Sequence, residues 1–128
     1  MTFDSAKLYD AKGRITLKAT VSFGPYQRET LNVVVSDGGG IILDDGFLGS
    51  ATKANSSETS FKFKGAKGVP GINRATIKED KNVPGQLKIN VKTKDGWAPP
   101  AADETTASTL ILLNLGGVCF SGNATDVR

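Results

Sequence analysis

A chain of 128 residues with 16 Lys or Arg and 13 Asp or Glu carries a formal charge of +3, and it is long enough to bury one core without covalent staples. It contains no His and a single Cys. This excludes the commonest general base, the usual catalytic triads, an internal disulfide and thiolate metal clusters. No run approaches the roughly 18 apolar residues of a membrane-spanning helix, so no membrane span is expected, and the charge is too dilute for a dedicated nucleic-acid binder.

Met1-Thr2-Phe3-Asp4-Ser5 has neither the basic nor the apolar region of a signal peptide. The short apolar stretch Lys7-Leu8-Tyr9 follows. From Arg14 to Phe23 the period is two: Ile15, Leu17, Ala19, Val21 and Phe23 share one face, and Arg14, Thr16, Lys18, Thr20 and Ser22 the other. That alternation predicts a half-buried antiparallel strand. Leu31 to Val35 is more uniformly apolar, as expected of a strand buried on both sides or at a sheet centre. Ile41-Ile42-Leu43 is a shorter apolar strand.

Alternation returns at Phe61 and Phe63 against Lys62 and Lys64, then at Ala75 and Ile77 against Arg74, Thr76 and Lys78. Gln86 to Lys94 places Leu87, Ile89 and Val91 inward and Lys88, Asn90, Lys92 and Lys94 outward. Residues 101–108, short and Thr-rich, read as loop rather than helix. Leu110 to Leu113 and Val118-Cys119-Phe120 close the series of strands. Turn signals punctuate it at short intervals, among them Asp37-Gly38-Gly39-Gly40, Asp44-Asp45-Gly46, Val83-Pro84-Gly85, Asp95-Gly96 and Gly116-Gly117.

The chain also echoes itself. Gly13-Arg14-Ile15-Thr16-Leu17-Lys18 resembles Gly85-Gln86-Leu87-Lys88-Ile89-Asn90, and Thr30-Leu31-Asn32-Val33-Val34 resembles Thr109-Leu110-Ile111-Leu112-Leu113. A Gly-rich turn and a short apolar strand follow in each copy, then Gly49-Ser50-Ala51-Thr52 and Gly122-Asn123-Ala124-Thr125. We read two related halves, residues 7–58 and 60–128, folded into one domain of residues 1–128, because neither half could bury its apolar face alone.

Three segments carry a family likeness: Ser60-Phe61-Lys62-Phe63-Lys64, the run Gly71-Ile72-Asn73-Arg74-Ala75-Thr76-Ile77-Lys78, and Pro84 to Lys92, closed by Gly116-Gly117-Val118-Cys119-Phe120. Together they resemble the Lys-rich β-repeat modules of large secreted and surface proteins of myxobacteria-like bacteria. The resemblance covers most of the chain and is densest from Ser60 onward. It implies an extracellular or cell-surface β-module with no catalytic residues. It carries over no activity.

Candidate chemistry is sparse. Asp37, Asp44 and Asp45 lie in Gly-rich turns and offer oxygen ligands, but Asp-Gly is what a tight turn requires for its own backbone, and the spacing of a calcium loop is missing. No metal and no cofactor is expected. Lys18, Lys62, Lys64, Lys88, Lys92 and Lys94 can line one basic sheet face for a polyanionic glycan or phosphate. The weightier alternative is that outward lysines keep a sheet soluble and discourage edge-to-edge pairing.

Trp97, in Asp95-Gly96-Trp97-Ala98-Pro99-Pro100, is held as a glycan-stacking or docking aromatic is held, against the commoner role of capping the core. Cys119 reads as a small buried hydrophobe. Glu29, Glu58, Glu79 and Glu104 supply the residue type of paired glycosidase carboxylates but fall in polar strand edges or loops, none in an apolar stretch. Asn55-Ser56-Ser57 and Asn123-Ala124-Thr125 match glycosylation acceptors, which matters only in a secretory host.

The sequence therefore predicts an all-β, antiparallel two-sheet sandwich of immunoglobulin-like architecture with eight or nine short strands. The expected function is a non-enzymatic structural subunit or module of an extracellular bacterial assembly, a surface protein or filament, that self-associates or contacts neighbouring domains. The alternatives are a carbohydrate-binding, adhesive module acting through Trp97, Lys88, Lys92 and Lys94, and a virion or tail structural protein.

Overall fold

The structure, a computed structural model, describes residues 2–9, 14–23, 26–37, 40–57, 59–65, 71–83, 85–94, 109–124 and 126–127; side chains are described for all of these except 2–9, 14, 37, 40–43, 94, 126 and 127. Alternation sets the strands. They are β1 (Thr2–Tyr9), β2 (Arg14–Ser22), β3 (Leu31–Asp37), β4 (Gly40–Phe47), β5 (Lys53–Ala54), β6 (Ser60–Lys64), β7 (Gly71–Glu79), β8 (Gln86–Lys94), β9 (Leu110–Leu115), β10 (Val118–Asn123) and β11 (Asp126–Val127).

They form two sheets, one in the order β11-β1-β2-β8-β7-β6-β5, the other in the order β10-β9-β3-β4. Every pairing is antiparallel except that of β1 with β11. The central series β1-β2-β8-β7 and β10-β9-β3-β4 follows the A-B-E-D and G-F-C-C′ orders of an immunoglobulin-like sandwich. β6 and β5 widen the first sheet beyond the D position, and β11 lies outside A.

The order is also symmetric. Exchanging β1–β4 with β7–β10 reproduces both central series read backwards. The segments that echo in the sequence are thus strands in equivalent places: β2 and β8 are neighbours, as are β3 and β9, while β4 and β10 hold the two edges of the smaller sheet. Lys18 pairs with its own counterpart Asn90, and Val33 and Val34 pair with Leu113 and Leu112.

The core fills the space between the sheets. Ile15, Leu17 and Val21 of β2, with Leu87, Ile89 and Val91 of β8, meet Leu31, Val33 and Val35 of β3 and Ile111, Leu113 and Leu115 of β9. All of these are essentially inaccessible, and each contributes about 1.5–3 kcal/mol by leaving water. Gly116 and Gly117, at φ 59° and 91°, make the two-residue turn between β9 and β10. Positive φ at both central residues matches the twist of the flanking strands.

The margin where β4 faces β6 and β7 is clamped by side chains. Phe47 of β4 stacks on Phe63 of β6, with ring centroids 4.3 Å apart and planes 5° from parallel. Asp45 accepts a hydrogen bond of 2.6 Å from the backbone N–H of Ile72, where a register shift interrupts the β7–β8 ladder. Gly71 sits beside that carboxylate at φ 108°, and a Cβ there would run into it. At another margin Tyr26 meets Phe61 edge-on at 4.9 Å and donates to the Glu29 carbonyl at 2.7 Å. Arg28, at φ 62°, lays its guanidinium 5.7 Å from the centre of the Phe61 ring.

Nine strands of five or more residues agree with the eight or nine expected, and the two-residue β5 and β11, too short to show a period, bring the described strands to eleven. One boundary needs correction. β1 begins at Thr2 rather than near Lys7, its first half being polar. β3 and β9 take the second of the two places expected for them, at a sheet centre, with Val34 and Leu112 half-buried and Leu110 exposed on the outward face. Residues 101–108 lie outside the described residues.

Two predictions follow from the clamps. Asp45→Ala leaves the Ile72 N–H without its acceptor, and we expect a loss of about 1–3 kcal/mol in urea unfolding, with Ser36→Ala as the neutral comparison. Burial, reinforced by the nearby Glu29 carboxylate and opposed by Arg28, raises the Tyr26 pKa from 10.0 to about 12. Ionisation is therefore harder in the folded chain than in the unfolded one. The stability this phenol supplies is complete below pH 10 and is lost as pH rises through 12. Tyr26→Phe, weaker at pH 8 for want of the hydrogen bond, is expected to lose less than the parent between pH 8 and pH 11 by urea titration.

Candidate functional site

The outward positions of the large sheet form one cationic surface. Because side chains alternate, the same strands that send Leu17, Ile77, Leu87, Ile89 and Val91 into the core send Lys18, Arg74, Lys78, Lys88 and Lys92 out. β6 adds Lys62 and Lys64, and β5 adds Lys53. All eight cations are exposed. The described outward positions of β2 and β5–β8 hold none of the acidic residues, and the remaining groups there are Thr16, Thr20, Ser22, Ser60, Thr76, Gln86 and Asn90.

Register places like charges face to face. Arg74 stands opposite Lys92 on one side and Lys64 on the other. Lys78 stands opposite Lys88, and Lys53 opposite Lys62. Neighbouring strands are about 4.8 Å apart and alternate residues about 6.8 Å apart along a strand, so the cations form a two-dimensional lattice. Near its middle is a shallow depression of about 280 Å³, lined by Thr16, Lys18, Arg74, Thr76, Asn90 and Lys92, with Leu17 and Ala75 beneath them. Its three cations, two hydroxyls and one amide suit an anionic group that also offers hydroxyls.

The residues singled out from sequence divide as follows. Lys88 and Lys92 belong to this face, together with Lys18, Lys62 and Lys64. Lys94 ends β8 opposite Gly71, and its side chain is outside the described residues. Trp97 lies outside them altogether. Lys53, Arg74 and Lys78 were not foreseen as part of the surface; the alternation at Arg74 and Lys78 was the available signal, whereas β5 is too short to give one.

Asp44 and Asp45 do not converge. Asp44 is exposed and accepts a 3.1 Å hydrogen bond from the Asn32 side chain, while Asp45 turns toward β7. No three His, Cys, Asp or Glu among the described residues gather as metal ligands would. Cys119 is exposed rather than buried, a correction that follows from its place on the edge strand β10 opposite outward Asn114. Asn55 is occupied as a turn staple, its side-chain oxygen accepting from the N–H groups of Thr59 and Ser60.

The outward face of the smaller sheet is chemically different. Asn32, Val34 and Ser36 of β3 line up with Asn114, Leu112 and Leu110 of β9 and with Cys119, Ser121 and Asn123 of β10. None of these is charged. Comparison with known protein families, curated proteins and solved structures finds no match to this chain.

Opposed like charges cost stability when screening is weak. Lys92→Gln is therefore expected to raise unfolding stability by about 0.2–1 kcal/mol at low ionic strength. The gain should shrink as salt shortens the Debye length from about 30 Å to about 3 Å. Urea titrations at the two salt limits check it; a loss at low salt contradicts the lattice.

Proposed function

We propose that this domain is a non-enzymatic module of an extended extracellular assembly, joined end to end with its neighbours. The supporting observation is how the two strands at one edge of the large sheet, β11 and β1, are laid. β11 runs parallel to β1, with Asp126 beside Lys7 and Val127 beside Leu8. Thr2, at the other end of β1, is about 20 Å away at the rise of a β-strand. β1 therefore starts at one pole of the sandwich and β11 ends near the other, along a single sheet edge.

That arrangement favours a linear array. Successive domains need no reversing linker, and both sheet faces stay clear of the joints. The likeness of the Lys-rich strands to repeat modules of secreted surface proteins supports the same reading and the extracellular setting. The partners it suits are further domains or copies of the same kind.

The test is a tandem in which residue 128 of one copy is joined directly to residue 1 of the next. Small-angle scattering should give a longest dimension close to twice that of the single domain, and each copy should unfold at least as late as the parent. A tandem that folds back side by side, or one whose copies destabilise each other, rules the reading out.

A further inference from the structure

We propose that the outward face of the large sheet is a binding surface for a carboxylate-bearing polysaccharide, a polyuronate. The carrying observation is the placement of the cations. Lysines that guard a sheet against aggregation belong on edge strands. Here Lys18, Lys88, Lys92, Arg74 and Lys78 lie on β2, β8 and β7, the interior of a seven-stranded sheet, where there is no edge to guard. Solubility is no better an explanation, since it is served by interspersed charges of both signs, and this surface sets Arg74 against Lys92 and Lys64, and Lys78 against Lys88. Such a lattice resists folding and is relieved by an anionic partner.

The pattern between the cations selects the partner. The depression combines Lys18, Arg74 and Lys92 with Thr16, Thr76 and Asn90. The Arg74 fork matches a planar carboxylate, and the hydroxyls and amide match free sugar hydroxyls. A polyuronate presents both along one extended chain, whereas sulfation replaces the hydroxyls that Thr16, Thr76 and Asn90 would bind. The face of a seven-stranded sheet is too broad to enter a groove that admits a helix or a two-stranded ribbon, and the described face carries no aromatic ring on which bases stack. It carries no large apolar side chain to insert into a lipid interface either. The surface is independent of end-to-end joining, because a single domain contains all of it.

The single domain is titrated with polygalacturonate, dextran sulfate, neutral dextran, duplex DNA and phosphatidylserine vesicles, at equal charge concentration and over a range of salt. Polygalacturonate should bind most tightly and dextran not at all. Arg74→Gln and Lys92→Gln should each weaken polygalacturonate binding about tenfold or more, as expected for a charge-assisted hydrogen bond. Lys81→Gln, an exposed cation in the turn between β7 and β8, should change it less than twofold. The slope of log affinity against log salt should fall by about one for each face cation removed.

The altered positions are exposed, so thermal melts at or above that of the parent are expected for both face variants. Failure of polygalacturonate to bind overturns the proposal. So does tighter binding of dextran sulfate, DNA or vesicles, or equal loss in Lys81→Gln and the face variants. A variant that melts below the parent is replaced by Lys18→Gln, the third cation of the depression, for which the same weakening is required.

Discussion

The pairing of β2 with β8 imposes two opposite demands on the same residues. Leu17 opposite Val91, Ala19 opposite Ile89 and Val21 opposite Leu87 point into the core, while Thr16 opposite Lys92, Lys18 opposite Asn90 and Thr20 opposite Lys88 point out. A slip of one residue would carry the lysines inward and the aliphatic residues into water. Each inward aliphatic residue gains about 1.5–3 kcal/mol, and each directly opposed pair of like charges, met where β8 continues to β7 and β7 to β6, costs about 0.2–1 kcal/mol. The core therefore fixes the register with a wide margin. The crowded cations are a load the sheet carries, and the core is what allows it to carry them.

The sandwich departs from the minimal immunoglobulin-like order where that load grows. β6 and β5 add Lys62, Lys64 and Lys53 beyond β7, in a region where the smaller sheet offers no strand beyond β4. The overhang needs anchoring, and the aromatic contacts supply it. Phe63 and Phe61 of β6 turn inward, onto Phe47 of β4 and Tyr26 of the β2–β3 connection. The Asp45 hydrogen bond to Ile72 ties β4 to β7 alongside them. One side of β6 thus holds the overhang in place while the other extends the charged face.

Much of this was legible in the sequence. Alternation alone located β2, β6, β7 and β8, and it sorted Lys18, Lys62, Lys64, Lys88 and Lys92 onto outward positions. What the sequence could not supply was which strands are neighbours. Alternation turned Arg74 and Lys78 outward as well, but that they face Lys92, Lys64 and Lys88 follows from β7 lying between β8 and β6, a long-range pairing that no local pattern encodes. Cys119 shows the same limit: flanked by Val118 and Phe120 it looks apolar and buried, and only its position on an edge strand exposes it. Asp45 was visible as a turn residue, but its acceptor role depends on a ladder irregularity 27 residues away.

The two readings offered above reinforce each other through geometry. An array joined pole to pole leaves every large sheet free along its flank, so the cationic surface recurs once per module. A polyuronate presents its carboxylates at regular intervals over a length far exceeding one domain. Contacts that are modest on one sheet become intramolecular on the next, and the effective concentration set by a short linker multiplies the affinity without any new kind of contact. The smaller sheet, uncharged on its outward side among the described residues of β3, β9 and β10, would not draw the polymer. A polyanion would therefore engage such an array from one flank, and the spacing between modules, rather than the strength of any single lysine, would set how tightly the array holds it.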